Sequence, residues 1–457
     1  MSGAKKIHFT GISGSGMSAL SQIAAMEGRA VTGSDRDFDN SRNLGWKASL
    51  EKLGIKIFPQ NGSGVDGDTA ELALSTAIED SNPEITRAKA FGAKIIHRSE
   101  LLAHYVDSFR TVAVGGTSGK STVVGMVFTI LEEAGLGPSV ITGGPLAALQ
   151  EKGLIGNAWR GKSDILVIEA DESDGTIEKY RPAAGLILNI SKDHKEVPAL
   201  KEIFRKFAAN SKKVYVNGAD PELADFRNGA EIFGMKDAGA GLQGLSLGMF
   251  GSHLKMGGVD FEIPAPGLYN VQNALASVKV CLNFGVTLEV CAAGLAKYKG
   301  IQRRFQTVGE TGGILVVDDY AHNPAKVAAV LGALRRDGGR RIIAVYQPHG
   351  YAPTRLLKKE LIEAFAASLG DGDVLFMPEI FYAGGTVAKD ISSKYLVDEL
   401  SRLGKKAFYF ERRADIVDKA VRLARPGDIF IVMGARDWTL SDFAKELFEK
   451  IKEASVK

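Results

Sequence analysis

The stretch "TVAVGGTSGKSTVVGMVFTIL", residues 111–131, decides the fold of the central part of this chain. Apolar and small residues alternate as far as Val114, a pattern that is typical of a buried strand. Beyond the glycine-rich turn, apolar residues recur at the helical spacing of three and four, as far as Leu131. The polar residues 115–122 therefore lie on a turn from a strand into a helix, where α/β sheets bind their ligands.

This turn predicts a phosphate-binding loop. Glycines let backbone N–H groups approach phosphate oxygens closely, and the start of a helix favours negative charge. A lysine at position 120 can reach the β- and γ-phosphates of a nucleotide, and the next hydroxyl can hold Mg²⁺. The usual pattern has a glycine where Val114 stands, so the match is to the shorter variant GTxGK[ST]T. The predicted loop residues are Gly116, Thr117, Ser118, Gly119, Lys120, Ser121 and Thr122.

Two other predicted strands end in groups that bind metals. "DILVIEADESD" places Glu169 at the end of one strand, and "GLILNISKDH" places Asp193 and His194 just past another. Parallel strands end at one edge of a sheet, and a hard cation that bridges phosphates needs oxygen ligands. The predicted ligands of a Mg²⁺ (or Mn²⁺) ion are Ser121, Glu169 and His194, and Glu172 and Asp174 are rivals of Glu169.

Composition places the chain among globular proteins that bind no nucleic acid. Its 457 residues, of which 45% are hydrophobic and 24% charged, suit about three domains. The 57 basic and 54 acidic residues leave a net charge of only +3, so no strong field favours nucleic acid. The N-terminus "MSGAKKIHFTG" lacks the apolar core of a signal peptide, and no run approaches the length that crosses a bilayer. We expect a cytoplasmic protein without a membrane partner, whose Cys281 and Cys291 are buried thiols.

Strand and helix patterns alternate in three successive segments, which favours an α/β fold with parallel sheets. We predict a Rossmann-like domain at 1–107, a central parallel sheet like that of P-loop ATPases at 108–300, and a second Rossmann-like domain at 301–457. Short strands and glycine turns between 212 and 266 predict a β-rich annex of the central domain. Near the start, Gly11-x-x-Gly14-x-Gly16 is compatible with any nucleotide diphosphate at a helix N-terminus. Asp35 ends the second predicted strand, where an acidic group either meets a ribose or caps a turn.

The ordered set of motifs resembles the Mur ligases, ATP-dependent amide-forming enzymes of peptidoglycan assembly, over nearly the whole chain. The first domain contributes "HFTGISGSGMSAL" and "VTGSD". The central domain contributes "GGTSGKST", "EADESD", "NISKDH" and "GLYNVQNALA". The last contributes "QRRFQ", "DDYAHNP" and "YQPHGY". Within the family the pattern is most similar to the ligases that add L-alanine to UDP-N-acetylmuramate.

The resemblance implies roles for individual residues. It implies that the first domain binds the UDP-sugar, the central domain ATP, and the last domain both ATP and the incoming amino acid. The residues implied around UDP are Gly11, Ser13, Gly14, Gly16, Ser34 and Asp35. Those implied around ATP, besides the loop, are Asn270 and Asn273 at adenine, Arg304 at the phosphates, Asp319 at the ribose, and His322 as a further cofactor-binding residue. The implied catalytic set is Lys120, Glu169, His194, Arg304 and His349, the last near the incoming amino acid.

Several of these residues also have ordinary structural interpretations. Asn270 and Asn273 are three apart on a predicted helix and share one face, but Asn270 could equally cap that helix. His322 and His349 follow predicted strands, where each could bind a ligand or hydrogen-bond the backbone.

The implied reaction is amide formation through an acyl phosphate, and the acceptor is left open. Departures from the alanine-adding pattern are Ser118 and Tyr269 in place of histidines, and Gly350 and Pro353 in place of arginines. L-alanine is the first acceptor hypothesis. The second is the preformed tripeptide L-Ala-γ-D-Glu-meso-diaminopimelate, which peptidoglycan-recycling ligases attach to the same sugar nucleotide. Two further hypotheses are a nicotinamide-dependent oxidoreductase built on the first domain and a nucleotide-binding paralogue without catalysis.

Overall fold

The computed structural model describes residues 6–172, 175–192, 195–236, 242–336, 338–382, 388–437 and 439–455. The chain divides into two compact units. The first comprises Met1–Ser246, Ser252–Pro264 and Leu268–Ile301, and the second comprises Leu247–Gly251, Ala265–Gly267 and Gln302–Lys457. Throughout these described ranges, we find no helix both long enough and apolar enough to span a bilayer.

The first unit opens with a parallel sheet. Its elements are β1 (Lys6–Thr10), α1 (Ser15–Met26), β2 (Val31–Ser34), α2 (Arg36–Asp39), α3 (Leu44–Lys52), β3 (Lys56–Phe58), β4 (Thr69–Leu74), α4 (Pro83–Ala90), β5 (Lys94–His97) and α5 (Arg98–Ser108). The strand order is β3-β2-β1-β4-β5, and every pairing is parallel. The connections from β1 lead to one side and those from β4 to the other, so the turn after β1 lies at the switch point where such sheets bind ligands.

The rest of the first unit contains a second, larger sheet and a small separate sheet. Its elements are β6 (Arg110–Gly115), α6 (Lys120–Glu133), β7 (Ser139–Ile141), α7 (Ala147–Gln150), β8 (Ala158–Trp159), β9 (Ile165–Glu169), β10 (Ala184–Ile187), α8 (Val197–Asn210), β11 (Val214–Asn217), β12 (Glu231–Phe233), β13 (Gln243–Leu247), β14 (Ser252–Met256), β15 (Val259–Ile263), α9 (Leu268–Leu282) and α10 (Leu288–Ala296), with 3₁₀ turns at Thr176–Lys179 and Pro221–Phe226. Over the described residues, the strand order of the larger sheet is β12-β11-β10-β6-β9-β7-β8. Strand β6 therefore lies between β10 and β9, which brings their carboxyl ends together.

The predicted β-rich annex is smaller than the sequence suggested. Strands β11 and β12 fall inside the stretch 212–266, but they extend the central sheet in parallel register. The separate sheet has the order β13-β14-β15, and its β14–β15 pairing is antiparallel. The short, apolar β11 and β12 can pair with an existing parallel edge, which a local pattern of short strands does not distinguish from a hairpin.

Helix α6 is packed closely against the central sheet and its neighbouring helices. Val112, Ala113 and Val114 of β6 are completely buried, so the strand that leads into the phosphate loop is part of the core. A Cβ atom at Gly294 of α10 would lie 2.7 Å from the backbone Cα of Ile130 in α6. Only a glycine allows this approach of the two helices. Helix α6 is thereby held between the central sheet and α10.

The second unit is a mostly parallel sheet with helices on both faces. Its elements are β16 (Gln306–Thr311), β17 (Ile314–Asp319), α11 (Pro324–Leu334), β18 (Ile342–Gln347), α12 (Tyr351–Ser368), β19 (Val374–Pro378), α13 (Ser393–Arg402), β20 (Ala407–Phe410), α14 (Asp415–Leu423), β21 (Ile429–Gly434) and α15 (Thr439–Ser455). In the described chain the order is β16-β17-β21-β18-β19-β20, with β16 antiparallel at the edge. Alternate residues of β17 enter two cores: Leu315 and Val317 join the core that contains α11 and α12, while Ile314 and Val316 join the core that contains α14 and α15. The predicted α/β class with parallel sheets is confirmed.

Candidate nucleotide-binding and catalytic site

The glycine-rich turn between β6 and α6 has the conformation of a ligand-binding loop. Gly116 and Gly119 both have positive φ, of 135° and 88°. A Cβ atom at Gly119 would lie 2.7 Å from the side-chain oxygen of Asn273, so only glycine fits this position. The loop leads directly into the fourteen-residue helix α6. The first N–H groups of a helix have no partner within the helix, so they are available to bind an anion.

Asn189, which the sequence analysis did not single out, holds this loop in place. Its Oδ1 accepts hydrogen bonds from the Thr117 hydroxyl (2.8 Å) and the Ser118 N–H (2.8 Å). Its Nδ2 donates to the Ser118 carbonyl (2.9 Å). Asn189 belongs to the "NISKDH" motif, and a polar residue directly after a buried strand was the signal that could have identified it.

The Lys120 side chain folds back over the loop. Its Nζ donates to the Gly116 carbonyl at 2.7 Å and to Glu172 Oε2 at 2.8 Å. Burial alone lowers the pKa of the Lys120 ammonium, but Glu172, Glu169 and Asp171 outweigh this effect and raise it. The lysine is therefore a fixed positive charge beside the loop.

Ser121 and Glu169, two of the three predicted metal ligands, lie in direct contact. The Ser121 hydroxyl donates to Glu169 Oε2 at 2.8 Å, and the same oxygen accepts from Thr142 Oγ1 (3.2 Å) and from Gly143 N (2.9 Å). A hydroxyl at the start of α6 and a carboxylate at the end of β9 form an oxygen donor set that suits Mg²⁺. His194 and the nearby Asp174 and Asp193 lie outside the described residues. The described part of the chain contains no group of three His, Cys, Asp or Glu side chains placed to hold a metal.

The two asparagines predicted at adenine lie beside the phosphate loop. Both are buried on α9, and Asn273 Nδ2 donates to Asn270 Oδ1 at 3.1 Å. Because the Asn273 oxygen is adjacent to Gly119, the chain brings this helix face and the loop together, although they are more than 150 positions apart. Thr122 continues the first turn of α6.

The residues predicted around UDP lie at the carboxyl ends of β1 and β2. Gly11, Ser13, Gly14 and Gly16 belong to the turn into α1 and its start, and the Ser13 N–H donates to Asp35 Oδ2 at 2.8 Å. The other Asp35 oxygen accepts from the Asp37 N–H at 2.8 Å and caps α2. These contacts agree with the interpretation of Asp35 as a cap. The Asp35 carboxylate also connects the turn after β1 with the end of β2.

Ser34 lies directly before that cap and is completely buried. Its hydroxyl donates to Glu84 Oε2 at 2.8 Å, and the Thr10 hydroxyl donates to the same oxygen at 2.6 Å. Glu84, a residue that the sequence analysis did not select, therefore connects the last residues of β1 and β2.

In the second unit, Asp319 and the two predicted histidines cluster near the end of β17. Asp319 is buried and accepts from the Phe305 N–H and the Ala321 N–H, both at 2.7 Å. The rings of His322 and His349 pack edge to face with centroids 4.9 Å apart. Burial, with a smaller effect of Lys326, lowers the pKa of His322 to about 2, so this ring is neutral at physiological pH.

Two consecutive arginines in the motif "QRRFQ" have different environments. Arg304, predicted at the ATP phosphates, is exposed and lies 5.3 Å from the centroid of the Tyr320 ring. Arg303 is completely buried and donates to Asp318 Oδ1 (3.3 Å), the Asp437 carbonyl (2.9 Å) and the Gly434 carbonyl (2.6 Å). Arg303 anchors the segment that presents Arg304.

Sequence profiles of known families match three successive parts of the chain. "Mur ligase family, catalytic domain" matches residues 6–110, "Mur ligase middle domain" matches 114–281, and "Mur ligase, glutamate ligase domain" matches 303–436. A UDP-N-acetylmuramate–L-alanine ligase of Pelotomaculum thermopropionicum is 34% identical over 472 residues, with 98% of both chains covered. The chain belongs to the Mur ligase family. The family resemblance predicted from the motifs is confirmed.

Further relatives agree over the same length. This Mur ligase is 32% identical over 482 residues to a UDP-N-acetylmuramate–L-alanine ligase of Agrobacterium fabrum, with 99% and 98% of the chains covered. The crystal structure of a UDP-N-acetylmuramate–alanine ligase from Thermotoga maritima has a TM-score of 0.79 and 26% identity, with 98% and 99% coverage. A murein peptide ligase from Psychrobacter arcticus is 21% identical with a TM-score of 0.64 and 98% coverage of both chains, which shows a common fold alone.

Proposed function

We propose that this Mur ligase joins L-alanine to UDP-N-acetylmuramate with the cleavage of ATP, a step of peptidoglycan precursor synthesis. The observation that carries the proposal is the match to L-alanine ligases over 98% of the chain. The geometry supports it, because Lys120, Ser121 and Glu169 meet beside one glycine loop. Such a loop serves phosphoryl transfer, which depends on positioning and charge neutralisation rather than on a nucleophilic side chain.

In the first step, the carboxylate of the sugar nucleotide attacks the γ-phosphorus of ATP, and the bond to the β-phosphate oxygen breaks. The products are an acyl phosphate and ADP. Lys120 is the fixed positive charge that neutralises the phosphates, and the exposed Arg304 is the proposed second one. In this proposal Asn270 and Asn273 bind adenine, Asp319 contacts the ribose, and His322 is a further ATP-binding residue.

A metal ion completes the proposed phosphate site. Ser121 and Glu169 supply hydroxyl and carboxylate oxygens, and His194 is the proposed third ligand. Bound Mg²⁺ (or Mn²⁺) would neutralise charge on the phosphoryl oxygens. Glu169 is already oriented for this purpose by the Thr142 hydroxyl and the Gly143 N–H.

In the second step, the neutral amine of L-alanine attacks the acyl carbon and inorganic phosphate leaves, which forms the amide. The amine loses a proton, and His349 is the proposed acceptor of that proton. The adjacent His322 stays uncharged because of its low pKa, so it places no second positive charge beside His349. Six residues of the turn after β1 and the end of β2 (Gly11, Ser13, Gly14, Gly16, Ser34 and Asp35) hold the UDP moiety of the donor in this proposal.

The test is the release of phosphate from ATP by the purified protein with UDP-N-acetylmuramate and a panel of acceptors. The panel contains L-alanine, glycine, L-serine and the tripeptide L-Ala-γ-D-Glu-meso-diaminopimelate. We expect kcat/KM to be highest with L-alanine and phosphate release to disappear in Lys120→Ala. A clear preference for the tripeptide would replace the acceptor and leave the ligase reaction standing. Absence of phosphate release with every acceptor, or hydride transfer from NADH, would overturn the proposal.

A further inference from the structure

A buried pair of side-chain amides joins the two sheets of the first unit. Gln22 on α1 and Asn157, directly before β8, are both completely buried. Gln22 Nε2 donates to Asn157 Oδ1 at 2.8 Å and to the Ser18 carbonyl at 3.0 Å. Asn157 Nδ2 donates to the Ser15 carbonyl at 2.8 Å and to the Ser18 hydroxyl at 2.9 Å. The amide pair therefore forms hydrogen bonds to the first turn of α1, the helix that begins at Ser15.

Backbone bonds connect Asn157 on its other side to the phosphate site. The Asn157 carbonyl accepts from the Thr142 N–H at 3.0 Å. The Thr142 hydroxyl and the Gly143 N–H both donate to Glu169, which in turn accepts from Ser121. A short, continuous series of hydrogen bonds thus runs from the turn after β1 to the first turn of α6.

The burial of these two amides at the interface costs free energy. Both amide hydrogens of Asn157 Nδ2 and its oxygen have partners, but Gln22 Oε1 is buried without a hydrogen-bond partner within the described chain. A buried polar atom without a partner costs free energy, whereas two leucines of similar size would carry no such requirement. What the amides provide and leucines cannot is a fixed orientation of the first turn of α1 relative to β8.

We propose that the Gln22–Asn157 pair is a positioning joint for the ligase reaction. It holds the glycine turn 11–16, and with it the donor's carboxylate, at a defined place relative to the γ-phosphate of ATP. The proposal rests on the proposed function, which assigns the donor to this turn. Because a misplacement of about 1 Å between reacting groups costs roughly 100-fold in rate, even a slight rotation of α1 would be felt in kcat.

The far end of α1 offers a matched control. Glu27, just beyond the helix, accepts from the Tyr105 hydroxyl at 3.0 Å and from Arg160 Nε at 3.2 Å. The Arg160 contact crosses the same interface between the two sheets, and the Tyr105 contact joins α1 to α5. Both lie about 18 Å along the helix from Ser15. Removing them loosens the interface without touching the turn.

The experiment compares Gln22→Leu, Asn157→Leu, the double variant and Glu27→Ala. Thermal unfolding, kcat and the KM values for ATP and UDP-N-acetylmuramate are measured for each. We expect each single leucine variant to unfold at a lower temperature, because its partner amide loses one hydrogen bond while it stays buried, and the double variant to recover most of that loss. The double variant should still have a kcat reduced about 10- to 100-fold with both KM values within about threefold, as expected for misaligned reactants. Glu27→Ala should keep its kcat.

Two results would overturn the joint. One is a double variant with full kcat, which would make the pair purely structural. The other is a kcat that simply follows thermal stability across all four variants, including Glu27→Ala.

Hydrogen exchange separates failure of the joint from failure of the proposed function. If the wild-type protein releases no phosphate with any acceptor, the proposed function fails while the joint is still measured. We then expect the backbone amides of residues 14–18 to exchange at least tenfold faster in the double variant and at the wild-type rate in Glu27→Ala. Unchanged exchange in the double variant would refute the joint, whatever the reaction.

Discussion

At the scale of the residue, burial assigns different tasks to side chains of the same chemistry. Arg303 and Arg304 are neighbours, but one is completely buried in hydrogen bonds and the other is exposed. Arg303 and Phe305 also have positive φ, of 58° and 48°, which is uncommon for residues with side chains. The bonds from Arg303 to Asp318 and to two carbonyls offset this backbone strain and present Arg304 outward.

The two arginines should therefore respond differently to substitution. Arg303→Ala leaves the Asp318 carboxylate buried without its cation, which typically costs about 3–5 kcal/mol of unfolding free energy. Arg304→Ala should change that free energy by less than about 0.5 kcal/mol and instead lower kcat/KM for ATP. Chemical denaturation and phosphate release measure the two effects. A destabilisation of equal size in Arg304→Ala would contradict the assignment.

The buried carboxylate of Glu84 makes a pH-dependent prediction. Burial raises the pKa of Glu84, but the contact with His8 and the hydroxyls of Thr10 and Ser34 outweigh it, so the pKa is lowered overall. Since the folded-state pKa lies below the unfolded-state value, the carboxylate stabilises the fold above that unfolded value, and this contribution is lost as the pH falls through the folded-state pKa.

Glu84→Gln should therefore reduce the free energy of unfolding at pH 7 by about 1–3 kcal/mol, the usual cost of removing a charged partner from buried hydrogen bonds. The difference between wild type and variant should shrink as the pH is lowered towards 3. Urea denaturation at a series of pH values measures this difference. The control is Glu79→Gln, because the Glu79 carboxylate belongs to an exposed ion pair with Arg36. A difference that is constant from pH 7 to pH 3 would show that the charge of Glu84 does not matter.

At the scale of the element, the turn into α6 was predictable because its signal is local. Strand, glycines, lysine and helical periodicity all fall within about twenty residues. The contacts of this turn with Asn189 and Asn273 were not predictable from that local signal, because separate elements bring the two side chains to it. The resemblance placed Asn273 at adenine, but not against Gly119. The same reason explains Glu84 and Arg303, whose roles depend on contacts with distant residues rather than on any motif.

Two glycines that flank α6 distinguish two effects of substitution, the strain of a positive φ and a clash with a neighbouring side chain. Gly119 precedes the helix with φ of 88°, and Gly135 follows it with φ of 70°. Among the described residues, no heavy atom lies within 4 Å of a Cβ added at Gly135. Alanine at either position should cost about 1–2 kcal/mol of unfolding free energy because of the left-handed backbone. Only Gly119→Ala also pushes against Asn273, so we expect it alone to weaken binding of a non-hydrolysable ATP analogue, by tenfold or more in calorimetry. Equal affinities of the two variants would contradict this account of the loop.

At the scale of the whole molecule, the order of the strands could not be derived from the sequence, although the α/β class could. Local patterns identify buried strands, but the placement of β6 between β9 and β10 depends on pairings between residues 55 and 72 positions apart, such as Arg110 with Ile165 and Val112 with Ala184. The prediction that Lys120 and Glu169 share one sheet edge needed only the parallel direction of the strands. The limits 1–107, 108–300 and 301–457 stay a prediction.

Two short segments that lie in the sequence of the first unit belong to the second unit. Leu247–Gly251 and Ala265–Gly267 belong to the second unit although the strands around them belong to the first. Met249 is 6% exposed and lies in the core that contains Leu315 and Phe365, whereas its neighbour Phe250 is 51% exposed. The second core is therefore incomplete in any fragment that begins at residue 302.

Substitution of these two neighbours tests this shared construction. Met249→Ala removes a buried side chain, so we expect a loss of about 2–5 kcal/mol in the unfolding free energy of the second unit. Phe250→Ala should change it by less than about 0.5 kcal/mol, because that ring buries little surface. Scanning calorimetry of the full chain, with and without UDP, distinguishes the two units, because the residues proposed to hold UDP all lie in the first unit. If Met249→Ala instead lowers the transition that UDP raises, the residue supports the first unit and the proposed division of the chain is wrong.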